Sequence, residues 1–217
     1  KKCTLSNSDN NKGVVAYIQV KDLSDKRGDK VFAGCRKPDE AHELEALQPH
    51  AILPLDVGDE ASVLSLSKVV DEHVGLLINN AGTSITNLGF DRDEVGVMKA
   101  PVAWTLDLIR INGLSAAMVT RSLSDQLESG SKVANITSQI GSMVVGSNFN
   151  DLPYAASKAV MNMVTVQLAS QLKARGIAVV AFHPGWVRTD MGGSSADISV
   201  EESAQGILST LDTLQLE

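Results

Sequence analysis

Short, continuous apolar runs alternate along this chain with longer amphipathic stretches, and this alternation constrains the fold more than any other feature. A strand buried on both faces is apolar throughout, whereas a half-exposed strand alternates polar and apolar residues. The order predicts βαβ units with right-handed crossovers, and therefore an α/β fold with a doubly wound parallel sheet. The apolar runs are KVFAG, AILPL, GLLIN, KVANIT and IAVVAF, and the helical stretches are residues 39–47, 59–73, 114–128 and 152–175.

Length and charge exclude several classes of function. A chain of 217 residues, 43% of them hydrophobic, suits a single domain over residues 1–217 with a full core. A net charge of -7 argues against nucleic acid and anionic membranes as partners. No apolar run approaches the ~18 residues of a membrane span, and no basic-then-apolar leader precedes the first strand.

The two cysteines, Cys3 and Cys35, are too few for a disulfide framework. We expect buried free thiols, a reducing compartment and a cytoplasmic location. The chain begins with Lys-Lys rather than methionine, so a targeting peptide upstream stays an open question.

Tyr154 and Lys158 are four residues apart in a stretch that opens a predicted helix. On a helix this spacing places both side chains on one face, with about 5–6 Å between their Cβ atoms. An ammonium group beside a phenol favours the phenolate, so we expect the lysine to lower the tyrosine pKa. Ser138 ends a predicted strand and offers a hydroxyl to the same reacting oxygen. The pattern indicates a tyrosine acid/base site for carbonyl and alcohol chemistry, although the Tyr–Lys spacing alone is common on exposed helices.

Polar and turn-forming segments follow the predicted strands at the points where these strands end. Residues 80–82 follow GLLIN, Ser138 follows KVANIT, and the Pro184–Gly185 pair follows IAVVAF. In doubly wound folds, ligands bind beyond the carboxyl ends of the strands. We therefore predict that these segments meet at one edge of the sheet, although each glycine or proline alone is typical of an ordinary turn.

In order and spacing, these motifs resemble the short-chain dehydrogenase/reductase family. They are NNAG at 79–82, Asn112, ITS before Tyr154, and HPGWVRTD after the last apolar run. YAASKAVMNM and PGWVRTDMGG are most similar to the C-factor-like or sniffer-like carbonyl reductase branch. The resemblance covers residues 31–191. It implies a Rossmann-like fold and an NADP-dependent oxidoreductase that acts on a small carbonyl or alcohol.

The family resemblance also implies a catalytic tetrad of Asn112, Ser138, Tyr154 and Lys158. Tyr154 is expected to protonate the forming alkoxide, and Ser138 to stabilise that oxygen. Lys158 is expected to hold the cofactor ribose. Asn112 is expected to hold a water through a local helix distortion and so link the lysine to solvent; an ordinary helix N-cap is the alternative.

Residues after the second strand favour NADP(H) over NAD(H). In NAD(H)-binding proteins an acidic residue at this position hydrogen-bonds the ribose diol, whereas an arginine such as Arg36 can pair with the 2′-phosphate of NADP(H). Lys12 is expected on the same side. The alternative is that Arg36 is merely solvated. Asp56 matches the family's adenine-contacting aspartate, and the alternative for Asp56 is a simple helix cap. Thr189 matches a family residue that hydrogen-bonds the carboxamide of the nicotinamide. The cofactor-binding residues that the resemblance implies are Lys12, Gly13, Val14, Arg36, Asp56, Val57, Asn80, Ala81, Gly82, Tyr154, Lys158, Pro184, Gly185, Val187 and Thr189.

The first βα unit departs from the family pattern. The family carries T-G-x-x-x-G-x-G here, because glycines let backbone amides approach the cofactor pyrophosphate. Aligned back from Val31, residues 8–15 are SDNNKGVV, in which only Gly13 matches, and Asp9 places a carboxylate near the phosphates. Three explanations stay open: a divergent segment, a sequence artefact or missing residues. The departure motivates an alternative function, a catalytically weak or inactive relative with a regulatory or scaffolding role.

The remaining loops are expected to form the substrate pocket, around 83–102 and 142–152. Residues 192–199 are interpreted as a mobile lid, followed by a helix that opens with the capping box Ser199-x-x-Glu202. His183 has no second ligand at a suitable spacing, so no metal site is expected. Trp186 is expected either to touch nicotinamide or substrate or to pack. Family members usually continue with a further strand after this helix, whereas this sequence stops at residue 217. A homodimer or homotetramer is a family expectation.

Overall fold

The computed structural model describes residues 3–7, 28–89, 95–145 and 150–215. The described strands form one six-stranded parallel sheet in the order β3-β2-β1-β4-β5-β6, so the chain reverses direction across the sheet between β1 and β4. The predicted doubly wound, Rossmann-like α/β fold is confirmed. The strands are β1 Cys3–Asn7, β2 Lys30–Cys35, β3 Ala51–Pro54, β4 Val74–Asn79, β5 Lys132–Ile136 and β6 Ala178–Phe182.

Helices connect the strands and cover both faces of the sheet. A π-helical segment, Ile109–Leu114, joins the α-helices Val102–Leu108 and Ser115–Ser122 into one continuous helix. Short 3-10 turns occupy 38–40, 86–88, 124–126, 139–141 and 173–175. The α-helices are α1 His42–Glu45, α2 Glu60–Leu64, α3 Leu66–Val69, α4 Val102–Leu108, α5 Ser115–Ser122, α6 Leu152–Leu172 and α7 Val200–Thr213.

Some helix boundaries differ from those predicted. The helix expected over 114–128 begins earlier, at Val102, and ends at Ser122. The π-helical segment adds a residue to one turn and so shifts the phase of the apolar pattern between the two halves of the helix. The first half therefore does not continue the pattern that predicts the second half. The stretch 59–73 is divided at Ser65. The helix predicted from Leu152 to Arg175 is confirmed, with a 3-10 last turn.

Alternate residues of the central strands feed two separate apolar cores. On β4, Leu77 belongs to one cluster with Val119 of α5. Its neighbours Leu76 and Ile78 belong to the other, with Leu208 of α7. This is the period-two alternation of a strand that is covered on both faces. The continuous apolar runs follow from this double burial.

Capping side chains and a left-handed glycine fix the ends of the long helices. Asp151 Oδ1 accepts a hydrogen bond of 3.0 Å from the Tyr154 backbone N–H and caps α6. Gly176 ends that helix in a left-handed conformation, with φ at 72°. Ser199 and Glu202 form the predicted reciprocal capping box at the start of α7.

The continuous helix Val102–Ser122 is long and apolar enough to cross a membrane by length and composition alone. One such helix is a weak sign of a membrane span, because core helices of folded domains pass the same test. Here the helix packs along α6. Asp107 and Arg110, which lie 3.7 Å apart within it, interrupt its apolar sequence.

Candidate active site

The carboxyl ends of the strands open into a cavity of about 550 Å³. The segments after β5 and β6 and the first turn of α6 form its wall, as the sequence pattern predicts. Ser138, Tyr154, Pro184, Gly185, Val187 and Thr189 line it, together with Ser84, Thr137, Gln139, Ile140, Asp151, His183, Trp186, Met191, Gly192 and Asp197.

Tyr154 and Lys158 extend from the same face of α6 toward this edge. The lysine Nζ lies 5.6 Å from the centroid of the tyrosine ring. The shared face predicted from the four-residue spacing is therefore confirmed. The ring packs against the small apolar cluster of Ile85, Val95 and Leu108, and its hydroxyl has no hydrogen-bond partner within the described part of the chain.

The expected lowering of the tyrosine pKa is wrong. Burial raises the pKa of Tyr154 to about 12, and the carboxylate of Asp151 contributes in the same direction. Burial also lowers the pKa of Lys158 to about 8. Removal of both groups from water disfavours their charged forms, and this effect exceeds the attraction of an ammonium that lies over the ring. At neutral pH the site therefore holds a neutral phenol beside an ammonium group.

The amine of Lys158 is held at the end of β5. Its Nζ donates a hydrogen bond of 3.0 Å to the backbone oxygen of Ile136, and the side chain is 4% exposed. Gly82, just after β4, lies beside it: a Cβ added there would be 3.5 Å from the Nζ and 3.6 Å from Asn112 Oδ1. An ammonium carries three donors, so this amine has donor capacity beyond the bond to Ile136.

Asn112 occupies the π-helical segment and is fully buried. Its Oδ1 accepts from the Thr83 backbone N–H at 2.7 Å, and its Nδ2 donates to the Thr83 backbone oxygen at 2.8 Å and to Ser157 Oγ at 3.1 Å. Asn112 thus joins the loop after β4 to α6. The expected helix distortion is confirmed, and the alternative of an N-cap is wrong because the residue lies inside a continuous helix.

Ser138 lies two residues beyond β5, and its Oγ accepts from the Ile140 backbone N–H at 3.3 Å. The loop that carries it is pressed onto α6. Thr137 Oγ1 donates to Asn162 Oδ1 at 2.7 Å, and Asn162 Nδ2 donates to the Gly141 backbone oxygen at 3.1 Å. A Cβ at Gly141 would lie 2.6 Å from the carbonyl carbon of Lys158. This contact fixes the serine loop relative to the Tyr–Lys helix.

The segment after β6 is folded back on itself next to the cavity. Gly185 has φ at 86°, a conformation that favours glycine. Val187 pairs with Ile198 in a parallel bridge, and Trp186 Nε1 donates to the Gly192 oxygen at 2.8 Å. The residues interpreted as a lid, 192–199, are therefore tied to the chain at 186–188 in this structure. Trp186 lines the cavity and is 49% exposed, which agrees with the alternative of a surface for nicotinamide or substrate.

The predicted adenosine-end residues follow β2 and β3. Arg36 directly follows β2 and is exposed. Asp56 is exposed and accepts from the Gly58 backbone N–H at 2.8 Å, whereas Asp59 caps α2, so the helix-cap alternative for Asp56 is wrong. Val57 is buried in the core, which commits its side chain to packing.

The remaining predicted cofactor residues divide between the sheet edge and the undescribed part of the chain. Asn80 and Ala81 follow β4, and Ala81 is buried in the core. Lys12, Gly13 and Val14 lie outside the described residues.

Several contributors to the site were not singled out from the sequence. They are Thr83 and Ser157, which hold Asn112, and Asp151 and Asp197, which bring carboxylates to the cavity wall. Ser157 precedes Lys158 and lies one turn after Tyr154, so helical spacing alone points to it. Among residues 28–89, 95–145 and 150–215, no three His, Cys, Asp or Glu side chains are grouped to hold a metal ion.

The chain is similar to a known family over most of its length. Residues 19–198 match the family described as short chain dehydrogenase. The chain belongs to the short chain dehydrogenase family. The family resemblance drawn from its motifs is thereby confirmed, and this member is an oxidoreductase of that family.

Individual relatives agree with the family assignment. C-signal of Myxococcus xanthus is 36% identical over 146 residues, which is 66% of this chain and 84% of the relative. The structure of NADPH-bound carbonyl reductase from chicken fatty liver superposes with a TM-score of 0.86 at 29% identity, covering 99% of this chain and 92% of that one. The carbonyl reductase Sniffer of D. melanogaster gives a TM-score of 0.86 at 25% identity, with 99% and 92% covered.

Proposed function

We propose that this short chain dehydrogenase is an NADPH-dependent reductase of small carbonyl compounds, with Ser138, Tyr154, Lys158 and Asn112 as its working residues. The observation that carries the proposal is the Tyr154 hydroxyl. Tyr154 lines an open cavity beside Ser138, its hydroxyl has no hydrogen-bond partner within the described part of the chain, and the amine of Lys158 lies over its ring. A similar chain, the chicken carbonyl reductase, was solved with NADPH bound.

The described residues fit a dinucleotide at the nicotinamide end. Lys158 offers spare donors next to Gly82, which suits the hydroxyls of a ribose. Thr189 Oγ1 lies at the cavity and is positioned by the 186–192 segment, which suits a carboxamide. At the other end, Arg36 is an exposed residue directly after β2, a position where an arginine suits a 2′-phosphate, and this is our reason for preferring NADP(H) over NAD(H).

Bound NADPH supplies the hydride that the carbonyl carbon accepts. Tyr154, which holds its proton firmly because its pKa is about 12, donates that proton to the forming alkoxide. The Ser138 hydroxyl donates a hydrogen bond to the same oxygen and stabilises its developing charge. Lys158, as an ammonium group, favours the transient phenolate. Asn112 keeps the loop after β4 at a fixed distance from α6, and we propose that its π-helical turn holds the water through which the lysine reaches solvent.

The test is reduction of a simple aromatic ketone, followed by NADPH absorbance, in the wild type and in Tyr154→Phe. Loss of the general acid is expected to reduce kcat by at least about 100-fold. Titration by NADPH fluorescence should show nearly unchanged cofactor affinity, because the phenol contributes little to ground-state binding. Normal turnover in Tyr154→Phe would refute the catalytic assignment.

A second function is favoured by the sequence of residues 8–15, which lacks most of the family glycines. In this alternative the protein is a catalytically weak or inactive relative with a regulatory or scaffolding role. The same titration separates the two functions. Micromolar NADPH binding favours the reductase, and no binding at millimolar cofactor favours the scaffold.

We also propose that the protein forms a homodimer or homotetramer through α4–α5 and α6. Apolar side chains on these helices are exposed, with Leu106 and Leu114 on the first and Met163 and Val166 on the second. Exposed apolar faces of neighbouring helices are typical of subunit contacts. Light scattering after gel filtration should give a mass twice or four times that of the chain. A monomer would refute this assembly.

The cytoplasmic location stays a prediction.

A further inference from the structure

Three polar side chains lie along one side of α6 at intervals of four residues, and the proposed reaction uses two of them. Tyr154 lines the cavity, and the Nζ of Lys158 donates to the Ile136 backbone oxygen at 3.0 Å. Asn162 is the third, one turn beyond the lysine. It is partly buried and lies behind the residues that line the cavity. Its side-chain amide is therefore directed at the protein and not at a ligand.

Asn162 binds the serine loop, residues 137–142, on both sides of Ser138. Its Oδ1 accepts from Thr137 Oγ1 at 2.7 Å, and its Nδ2 donates to the Gly141 backbone oxygen at 3.1 Å. The carbonyl of Gly141 can only accept, so the Nδ2 must face it and the Oδ1 must face the hydroxyl. A carboxylate at this position would only accept, and an aliphatic side chain would do neither. The arrangement thus uses both ends of one amide.

Packing and hydrogen bonding act on this loop in opposite directions. Because Gly141 has no side chain, the loop lies so close to α6 that a Cβ there would be 2.6 Å from the carbonyl carbon of Lys158. Such contact limits how near the loop can come, but it does not oppose departure. Among the described residues, the bond from Asn162 to Gly141 is the one hydrogen bond that joins α6 to the loop beyond Ser138. The amide therefore limits how far the loop can move away.

The turn that the amide holds also sets the position of Ser138. The Ser138 Oγ accepts from the Ile140 backbone N–H at 3.3 Å, and the Gly141 N–H donates to the Ser138 backbone oxygen at 3.1 Å. A displacement of Gly141 is consequently passed to the serine. Ser138 and Tyr154 line one cavity from different elements, so the distance between their hydroxyls depends on how the loop is attached to α6.

We propose that Asn162 is a positioning residue for carbonyl reduction, and that it holds the Ser138 hydroxyl where this group and the Tyr154 hydroxyl reach one carbonyl oxygen. The inference rests on the proposed reductase function. Asn162 does not touch the reacting atoms and acts through Thr137 and Gly141 on the serine. A displacement of ~1 Å at a reacting centre costs about 100-fold in rate, so attachment of this loop affects turnover strongly.

A double-mutant cycle with Ser138→Ala tests whether Asn162 acts through the serine. In the wild-type background, Asn162→Ala should lower kcat for ketone reduction by at least about tenfold, which is less than the cost of ~1 Å because Gly141 still packs on the helix. In the Ser138→Ala background, Asn162→Ala should lower kcat by less than about threefold, since residues that act as a unit are not additive. NADPH affinity, measured by fluorescence, should be nearly unchanged. Full additivity of the two substitutions would overturn the proposal.

Thr137→Val is a second variant, which keeps the side-chain shape and removes the hydroxyl that donates to Asn162. It should lower kcat in the wild-type background and have little further effect in Ser138→Ala. Gln171→Ala is the matched control, because it removes an exposed amide from the same helix. Its kcat should be unchanged. Wild-type kcat in both Asn162→Ala and Thr137→Val, or an equal loss in Gln171→Ala, would contradict the positioning role.

Hydrogen–deuterium exchange separates this role from the reduction itself. The N–H groups of residues 140–142 are hydrogen-bonded within the turn. In Asn162→Ala they should exchange about tenfold faster, because the loss of one or two hydrogen bonds shifts an opening equilibrium by about that factor. The N–H groups of α7, which packs on the other face of the sheet, should exchange as in the wild type.

The outcomes of the exchange and kinetic measurements are distinguishable. Unchanged exchange at residues 140–142, or equal acceleration in α7, would show that Asn162 does not hold the loop and would refute the inference. A wild type that reduces no ketone would refute the reductase, while faster exchange confined to residues 140–142 would still support attachment of the loop by Asn162. Ketone reduction by the wild type together with unchanged exchange and kcat in Asn162→Ala would refute the positioning role alone.

Discussion

The Nζ of Lys158 lies 5.6 Å from the centroid of the Tyr154 ring and donates its hydrogen bond to the Ile136 backbone oxygen. The lysine is thus placed over the ring and anchored to β5. Because Lys158 is buried and the Tyr154 ring is largely removed from water, the tyrosine pKa rises to about 12 and the lysine pKa falls to about 8. The group that changes protonation nearest to physiological pH is therefore the lysine.

The first prediction concerns the pH dependence of reduction. Below pH 8, Lys158 is charged and Tyr154 is neutral, which is the competent form for proton donation. As the pH rises through about 8 the lysine loses its charge, while the tyrosine keeps its proton up to about 12. We expect kcat/KM for NADPH, which reports on the free enzyme, to fall tenfold per pH unit above about 8.

Lys158→Arg distinguishes the lysine from the tyrosine as the origin of this fall. Arginine stays charged throughout the range, so the descending limb near pH 8 should disappear even if the absolute rate is lower. A limb that persists at the same pH in Lys158→Arg would assign the titration to another group and contradict the prediction.

The second prediction concerns Asp151 and the acidity of the phenol. Asp151→Asn removes the nearby negative charge but keeps a side chain that caps α6, so the pKa of Tyr154 should be lower than in the wild type. Phenolate absorbance in the near ultraviolet measures the titration. The chain has two tyrosines, and Tyr154→Phe identifies the signal of the other, Tyr17.

Circular dichroism at each pH should accompany that titration, so that only folded protein is compared. Asp125→Asn, remote from the cavity, should leave the Tyr154 midpoint unchanged. An unchanged midpoint in Asp151→Asn would show that burial alone sets the tyrosine pKa.

The sequence predicted the fold well because double burial is visible in the chain itself. KVFAG, GLLIN and IAVVAF each feed two cores, and such runs occur as strands in a covered parallel sheet. The positions of Ser138, Tyr154 and the Pro184–Gly185 turn followed from the strand ends and from helical spacing. These features depend on local pattern and topology, which the sequence carries directly.

Features set by three-dimensional packing were not predictable in the same way. The four-residue spacing of Tyr154 and Lys158 gives their shared face but not their depth, and depth decides the direction of both pKa shifts. The π turn at Asn112 hid the first half of its helix from the apolar pattern. Asp197 reaches the cavity through the fold of residues 186–198, which local pattern does not reveal.

The third prediction tests Asn112 as a brace between the β4 loop and α6. Asn112→Ala leaves the buried N–H and carbonyl of Thr83 without their partner. Each unsatisfied buried group costs about 1–3 kcal/mol, so the free energy of unfolding should fall by about 2–4 kcal/mol. Urea denaturation measures this loss.

Asn87→Ala is the control for that variant, because Asn87 is exposed in the same loop. The free energy of unfolding of Asn87→Ala should stay within about 0.5 kcal/mol of the wild-type value. Asn112→Ala should also reduce kcat beyond what partial unfolding explains, when assayed well below its melting temperature. A variant with wild-type stability would contradict the bracing role.

The fourth prediction concerns Gly141, where the Ser138 loop touches α6. In Gly141→Ala the new Cβ would lie 2.6 Å from the carbonyl carbon of Lys158 and 2.8 Å from the Ala159 nitrogen. Backbone atoms cannot move aside as a flexible side chain does, so the loop must shift away from the helix. Because Ser138 is carried by this loop and Tyr154 by the helix, we expect kcat for ketone reduction to fall by about 100-fold, the cost of a displacement of ~1 Å at a reacting centre.

Gly206→Ala provides the matched control for this glycine. Gly206 lies inside α7, and a Cβ there meets no atom within 4 Å. Since alanine is the better helix former, this variant should be more stable by about 0.5–1 kcal/mol with unchanged kcat. Thermal unfolding and ketone reduction, measured on both variants, test these expectations for stability and kcat. Gly141→Ala with wild-type kcat would show that the serine loop is not fixed by its contact with the helix, whereas a stable but slow Gly141→Ala would locate the defect in the distance between Ser138 and Tyr154.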